Sequence, residues 1–261
     1  MKTETKATKR LADHSTIAII TARGGSKRIP RKNIKNFCGK PIIEYSIAAA
    51  LASGIFDEVM VSTEDQEIAQ ISIKSGAKVP FLRSAATAND YSTTAEVLTE
   101  VIQSYLKIGR SFARACCIYP TAPFVTPEKL RAAMALLQEG HTEVVIPVTP
   151  FSFSPLRAMI IRQNKLQYCH PEYADSRSQD LEIMYHDCGQ FYCFKPDVLL
   201  RKKRLLTDSV KALIVPEQEV QDIDTLQDWE IAEIKYQRLV MRMQRENEGN
   251  LQYGGVWNNI K

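Results

Sequence analysis

Apolar and polar positions along this chain fall into two alternating kinds of block. Thr16 to Thr21 (TIAIIT) is an unbroken β-branched apolar run, the pattern of a strand buried on both faces. IIEYSIAAALASG, after a basic loop, reads as a helix ending near Gly54. The pair of signals recurs as a strand over Glu58 to Thr63 and a helix over EDQEIAQISIKSG that stops near Gly76. A short third strand is predicted from Ala77 to Arg83. A polar loop then runs to Ser92, and Thr93 and Glu96 have capping-box spacing for the next helix. The strand ARACCIYP ends at Pro120 and precedes a helix with Pro127 in its first turn and Gly140 at its exit. TEVVIPVTP is a further strand. Strands alternating with helices of this length predict βαβ units, hence an α/β fold with a mostly parallel sheet flanked by helices.

The rhythm breaks between Phe151 and Asp187, where loops and a hairpin around Gln163-Asn164-Lys165 replace helix signals. Such an excursion suits a substrate lid or a dimerisation arm. Regularity returns in the strands GQFYCF and KALIVP, and an amphipathic helix is expected from Asp224 to about Arg245. The boundaries expected are a polar tail over 1–15, one domain over 16–247 with its excursion at 151–187, and a C-terminal tail over 248–261.

Composition narrows the class. The chain has 261 residues, 44% of them hydrophobic, enough for one sizeable domain. No run approaches a membrane span, and the polar opening lacks an apolar segment of signal-peptide length, so a soluble cytoplasmic protein without a membrane partner is expected. The six cysteines form no CxxC pair and are read as reduced thiols. Charge is uneven: no acidic residue stands between Asp13 and Glu44, where Arg23, Lys27, Arg28, Arg31, Lys32, Lys35 and Lys40 crowd together. A solvated surface, a nucleic-acid patch or a phosphate site would each have this signature. No interleaved aromatics accompany it, so no nucleic-acid partner is expected.

The strongest chemical signal lies in that cluster. ARGGSKRIPRKN, Ala22 to Asn33, leaves a predicted strand at the carboxyl edge of the sheet, where open α/β folds bind ligands. Gly24 and Gly25 let backbone approach an anion, Arg23, Lys27 and Lys32 add charge, and Ser26 and Asn33 add hydrogen-bonding side chains. A triphosphate suits the combination, and a merely basic turn would also account for it. The loop matches neither the Walker A pattern nor GxGxxG. Asp222 and Asp224, if extended, present both carboxylates to one side, as magnesium favours. An acidic helix start with Asp224 as N-cap is the alternative. Tyr119-Pro120-Thr121-Ala122-Pro123-Phe124 is a rigid turn at a strand end, suited to shaping a pocket or simply to turning the chain. In Asp187-Cys188-Gly189-Gln190-Phe191-Tyr192, Gln190 and Tyr192 stand at a strand mouth, placed to touch a polyhydroxylated ligand or to pack an edge.

Taken in order, these segments resemble the CMP-sialic acid synthetase (acylneuraminate cytidylyltransferase) family. The nucleotide loop A-R-x-G-S-K-x-x-x-x-K-N is matched by Ala22, Arg23, Gly25, Ser26, Lys27, Lys32 and Asn33. Phe81-Leu82-Arg83 resembles the segment whose arginine holds the cytidine, and Asp222 with Asp224 resembles the metal-binding pair. The likeness spans about Thr16 to Ile234, and RGGSKRIPRKNIKNFCGKPII, YPTAPF and DCGQFY resemble the pseudaminic acid branch. Tyr119 departs from the glutamine that better-known sialic acid synthetases carry before the Pro-Thr turn. The resemblance implies a Rossmann-like nucleotidyltransferase fold, a homodimer reached through the excursion, Mg2+ as cofactor, and CTP with a nonulosonic acid as substrates. It implies attack of the anomeric hydroxyl on the α-phosphate, with Arg23, Lys27, Asp222 and Asp224 in catalysis. Tyr119, Arg157, Gln190 and Tyr192 are assigned to the sugar, Arg157 because a guanidinium pairs bidentately with a carboxylate. Legionaminic or N-acetylneuraminic acid is the alternative substrate, and a non-catalytic CTP-binding regulator the alternative of another class. Flagellin or a surface polysaccharide is the expected glycan target.

Overall fold

The computed structural model describes residues 15–254. Residues 1–14 of the expected polar tail, and 255–261 of the C-terminal one, lie outside them. The expected strands and helices form a seven-stranded sheet in the order β11-β6-β10-β5-β1-β4, with β9 also paired to β6. The strands are β1 (Thr16–Thr21), β4 (Glu58–Ser62), β5 (Arg114–Ile118), β6 (Val144–Pro150), β9 (Tyr185–Asp187), β10 (Phe191–Phe194) and β11 (Val210–Ile214). Two short ones, β2 (Asn36–Phe37) and β3 (Lys40–Pro41), make a hairpin of their own. β1 pairs parallel with both β4 and β5, and β11 parallel with β6. β10 runs antiparallel between β5 and β6, as β9 does against β6. The mostly parallel expectation thus describes the sheet apart from these two strands.

The unbroken apolar runs fill both faces. Ala18, Ile20, Cys116 and Ile118 point into one core, under the helices α1 (Ile43–Ser53), α2 (Gln66–Lys74) and α4 (Pro127–Gln138). Ile17, Ile19, Ala115 and Cys117 point into the other, under α3 (Thr94–Lys107) and α5 (Pro196–Lys202). Helix ends follow local chemistry. Gly54 leaves α1 in the left-handed conformation, and Thr93 with Glu96 closes the capping box that opens α3.

Three expectations change. Ala77 to Arg83 is no strand: one bridge joins Lys78 to Met60, after which Pro80 offers no donor and the chain leaves the sheet. α5, opened by Pro196, carried no recognised signal. The last helix, α6 (Leu226–Gly254), runs past Arg245.

The excursion holds the hairpin of β7 (Met159–Arg162) and β8 (Lys165–Tyr168), then returns through β9. Gln163 and Asn164 both have positive φ, 49° and 61°, as a tight two-residue hairpin turn demands. Its apolar side chains face outward: Phe153 is 89% exposed, Ile161 71% and Ile183 67%.

Candidate active site

β1, β4 and β5 run in one direction, so the loops after Thr21, Ser62 and Ile118 meet at one edge of the sheet. An open cavity of about 610 Å3 lies there. The loop after β1 is held firmly from beneath. Gly24 N–H donates to Glu64 Oε1 at 2.7 Å, and a Cβ on Gly24 would stand 2.6 Å from Asp65 Oδ2, so glycine is required. Arg31, left-handed at φ 55°, donates to both oxygens of Asp65 and to Glu67. Asp65 also caps α2 by accepting from the N–H groups of Glu67 and Ile68. The Arg31 hydrogen bond, helped by these amides, holds the Asp65 carboxyl down at about 2. Arg31 is thus a clamp between loop and helix.

The basic cluster divides by partner. Arg23 and Lys27 meet Asp90, which they hold below the ordinary carboxylate range, Lys27 most strongly. Arg28 reaches Asp224 at 2.6 Å, and Lys32 lies 3.5 Å from it. Lys35 stands over the Trp229 ring and Lys40 over Tyr45. Counter-charges and rings therefore partner the cluster around the cavity.

The aspartates do not line the cavity, and packing far along the chain brings Asp224 against the basic loop at its rim. Ile223, 1% exposed, sits in an apolar cluster with Phe37, Tyr45 and Trp229. Asp222 and Asp224 flank this anchor, and Lys32 Nζ donates to the Ile223 carbonyl at 2.5 Å. The N-cap of α6 is Thr225: its hydroxyl accepts from Asp228 N–H at 3.2 Å, and Asp228 Oδ2 accepts from Thr225 N–H at 2.7 Å. Asp224 is consequently free of the capping role. Asp222 keeps solvent contact, yet surrounding protein and then the Asp224 charge raise its pKa. A divalent cation relieves that repulsion, and two carboxylates that leave further places for phosphate oxygens and water suit magnesium. The pair fits the ion. Among the described residues no group of three or more His, Cys, Asp and Glu forms a fuller metal cluster.

Of the residues expected at the nucleotide, Arg23, Ser26, Lys27, Lys32, Asn33 and Arg83 line the cavity. Ala22 is buried and donates to the Ser62 carbonyl at 3.0 Å, and Asn33 Nδ2 donates to the Arg23 carbonyl at 2.8 Å, so both shape the loop backbone. Gly25 lies between these contacts, with open space where a Cβ would point. Arg83 is buried and donates to Ser62 Oγ at 3.1 Å and to its carbonyl at 2.6 Å; burial lowers its pKa.

The residues expected at the sugar separate. Tyr119 lines the cavity. Gln190 and Tyr192 are buried: Gln190 Nε2 donates to the Glu219 carbonyl at 2.7 Å, and Tyr192 donates to Asp187 at 2.7 Å. Arg157 stands in the excursion, where Nη1 donates to Ser178 Oγ at 3.4 Å, and is not part of the cavity wall. His186 likewise stays outside, against Phe151 and the Asp187 carbonyl. Asp90 and Thr94 line the cavity without having been expected there. Asp90 lies in a polar loop with no periodicity to single it out, and Thr94 is hidden by the adjacent capping box.

The cytidylyltransferase family profile matches residues 17–208. The chain belongs to that family. This cytidylyltransferase is 39% identical over 221 residues to the pseudaminic acid cytidylyltransferase of Campylobacter jejuni subsp. jejuni serotype O:2, which spans 84% of this chain and 95% of that one. It is 32% identical over 226 residues to the CMP-N,N'-diacetyllegionaminic acid synthase of Legionella pneumophila subsp. pneumophila, covering 83% and 94% of the two chains. Among solved structures, a CMP:2-keto-3-deoxy-manno-octonic acid synthetase complexed with CTP shares the fold at TM-score 0.65 and 18% identity, over 86% of this chain and 99% of that chain. These relatives group the enzyme with the CMP-nonulosonic acid synthetases, as its motifs implied.

Proposed function

We propose that this cytidylyltransferase transfers CMP from CTP to the anomeric hydroxyl of pseudaminic acid and releases pyrophosphate. The observation that carries the substrate is the 39% identity to a pseudaminic acid cytidylyltransferase along 84% of this chain. The contacts of Asp224 with Arg28 and Lys32 of the basic loop support the chemistry.

Phosphoryl transfer asks a protein mainly to position groups and stabilise charge. Arg23 and Lys27 exchange Asp90 for the triphosphate and, with Lys32, offset charge on the departing pyrophosphate. Ser26 and Asn33 fix its orientation, and Arg83 faces the cytidine end. Asp222 and Asp224 hold Mg2+, which when bound neutralises phosphate charge and lowers the pKa of the attacking hydroxyl. The reading is tested by pyrophosphate release from CTP and Mg2+ with pseudaminic, legionaminic and N-acetylneuraminic acids offered separately. Release with pseudaminic acid at the highest kcat/KM is expected. Preference for another acid overturns the substrate, and CTP binding without release for any acid overturns the enzyme.

The reading includes a homodimer. The outward Phe153, Ile161 and Ile183 side chains form the kind of surface a partner covers. Ile161→Asp is expected to shift the sedimentation coefficient from dimer to monomer, and a monomeric unaltered protein would remove this part of the reading. All six cysteines are free, which supports a cytoplasmic location.

A further inference from the structure

A second cavity, of about 470 Å3, opens between α6 and the short turn Glu217–Glu219, and it shares no wall residue with the cavity at the sheet edge. Lys235, Arg238, Arg242 and Arg245 line it. Spacings of three, four and three bring these cations onto one face of the helix. Glu219 is the carboxylate in this wall, and its charge is already shared. Lys129 Nζ lies 2.8 Å from Oε2, and Arg242 Nη2 lies 2.7 Å from Oε1. Lys235 Nζ donates to the Val220 carbonyl at 2.8 Å.

Arg238 and Arg245 differ from these two. Both are exposed, and among the described residues no carboxylate meets either guanidinium. The sequence explains why: no acidic residue stands between Glu233 and Glu246, so the stripe lacks the alternating signs of an ordinary solvated helix face. In the loop after β1, by contrast, Asp90 and Asp224 answer the cations. Leu239, packed against the Phe37–Trp229 cluster, and Met241 give the cavity an apolar side as well. A concave wall of this volume suits a small molecule. Its charge asks for an anion, and guanidinium forks match the oxygens of phosphate.

We propose that this face of α6 is a second anion site, which takes a phosphate-bearing small molecule. Arg238 and Arg245 grip the phosphate oxygens, and Leu239 with Met241 walls the uncharged part. The site is independent of the chemistry assigned to the cavity at the sheet edge.

Calorimetric titration with inorganic tripolyphosphate, at fixed ionic strength, tests it. Two binding sites are expected on the unaltered protein. Lys27→Ala removes the one at the sheet edge. Arg238→Ala with Arg245→Ala weakens the other at least about tenfold, the worth of a charge-assisted hydrogen bond. Both arginines are exposed, so this double variant keeps its fold and its turnover. Lys74→Ala with Lys107→Ala takes the same two charges from exposed positions at the ends of α2 and α3, and is expected to leave both sites as they were. CDP in place of tripolyphosphate identifies the source. Tighter binding at this site assigns it to a nucleotide with its base against Leu239 and Met241, and equal or weaker binding to a free oligophosphate. A single site that ignores the arginine pair, or an equal loss in the lysine control, overturns the proposal. Two sites that both survive Lys27→Ala, one of them lost with the arginine pair, support this site and count against the phosphate role of the first cavity.

Discussion

Replacing Asp222 and Asp224 together with alanine is expected to lower kcat for pyrophosphate release by about 10³-fold or more, the scale at which charge stabilisation in a transition state operates. Neither side chain is part of the apolar core; Ile223 between them provides the anchor, so the fold survives the change. Asp224 also neutralises Arg28 at 2.6 Å and Lys32 at 3.5 Å. Its removal frees two cations beside the phosphates. CTP binding measured without metal is therefore expected to hold or tighten while turnover disappears. That split separates a lost metal site from a collapsed pocket, which would weaken CTP binding as well. Retention of Mg2+-dependent release within tenfold of the unaltered enzyme would remove the metal assignment.

The fold was legible wherever one short stretch determines its own fate. TIAIIT is apolar at all four positions between its threonines because both faces of β1 are covered, and that is visible without any partner. Thr93 with Glu96, Pro127 and Gly54 mark helix ends through contacts within a few residues. The same reasoning fails for Ala77 to Arg83. Its composition suits a strand and β4 offers its outer edge, but Pro80 has no N–H to give the ladder, and past Lys78 the chain turns to put Arg83 N–H on the Thr63 carbonyl. The directions of β9 and β10 were equally hidden, since direction depends on how far the excursion travels before returning.

The site divides along the same line. The loop from Ala22 to Asn33 carries its chemistry in consecutive residues, and most of its marked side chains line the cavity. The distance across the chain between Lys32 and Asp224 is closed only by packing, through Ile223, Trp229 and Phe37. Asp90 carried no pattern, because an exposed acidic residue in a polar loop is ordinary until Arg23 and Lys27 are brought against it. Arg157 shows the converse: an arginine is a good carboxylate ligand by type, and the excursion sets it beside Ser178, away from the wall of this cavity. The positive cluster, one feature in the sequence, is in the fold several separate pairings, of which the Arg31–Asp65 clamp is structural.

Trp229→Ala is expected to lower the free energy of unfolding by about 3–5 kcal/mol, the usual cost of emptying a buried aromatic site. Trp229 is 4% exposed and meets Phe37 edge-on at 5.5 Å, while Tyr236, about two turns further along the same face of α6, contacts Phe37, Tyr45 and Phe124. Lys35 over the Trp229 ring adds a cation–π contribution of about 0.5–1 kcal/mol at such a partly open position. These rings dock α6 onto the β2–β3 hairpin, and the same docking presses Ile223 into place just before the helix. The substitution should therefore act on catalysis too. Loosening Ile223 lets Asp222 and Asp224 drift from Lys32, so the Mg2+ concentration needed for half-maximal rate is expected to rise alongside the drop in the urea midpoint. Trp229→Phe keeps an aromatic edge against Phe37 and is expected to cost about 1 kcal/mol with little change in metal requirement. A Trp229→Ala protein that loses stability while keeping its Mg2+ dependence would separate the helix docking from the metal site. One that loses less than about 1 kcal/mol would show that the pocket closes around the missing ring.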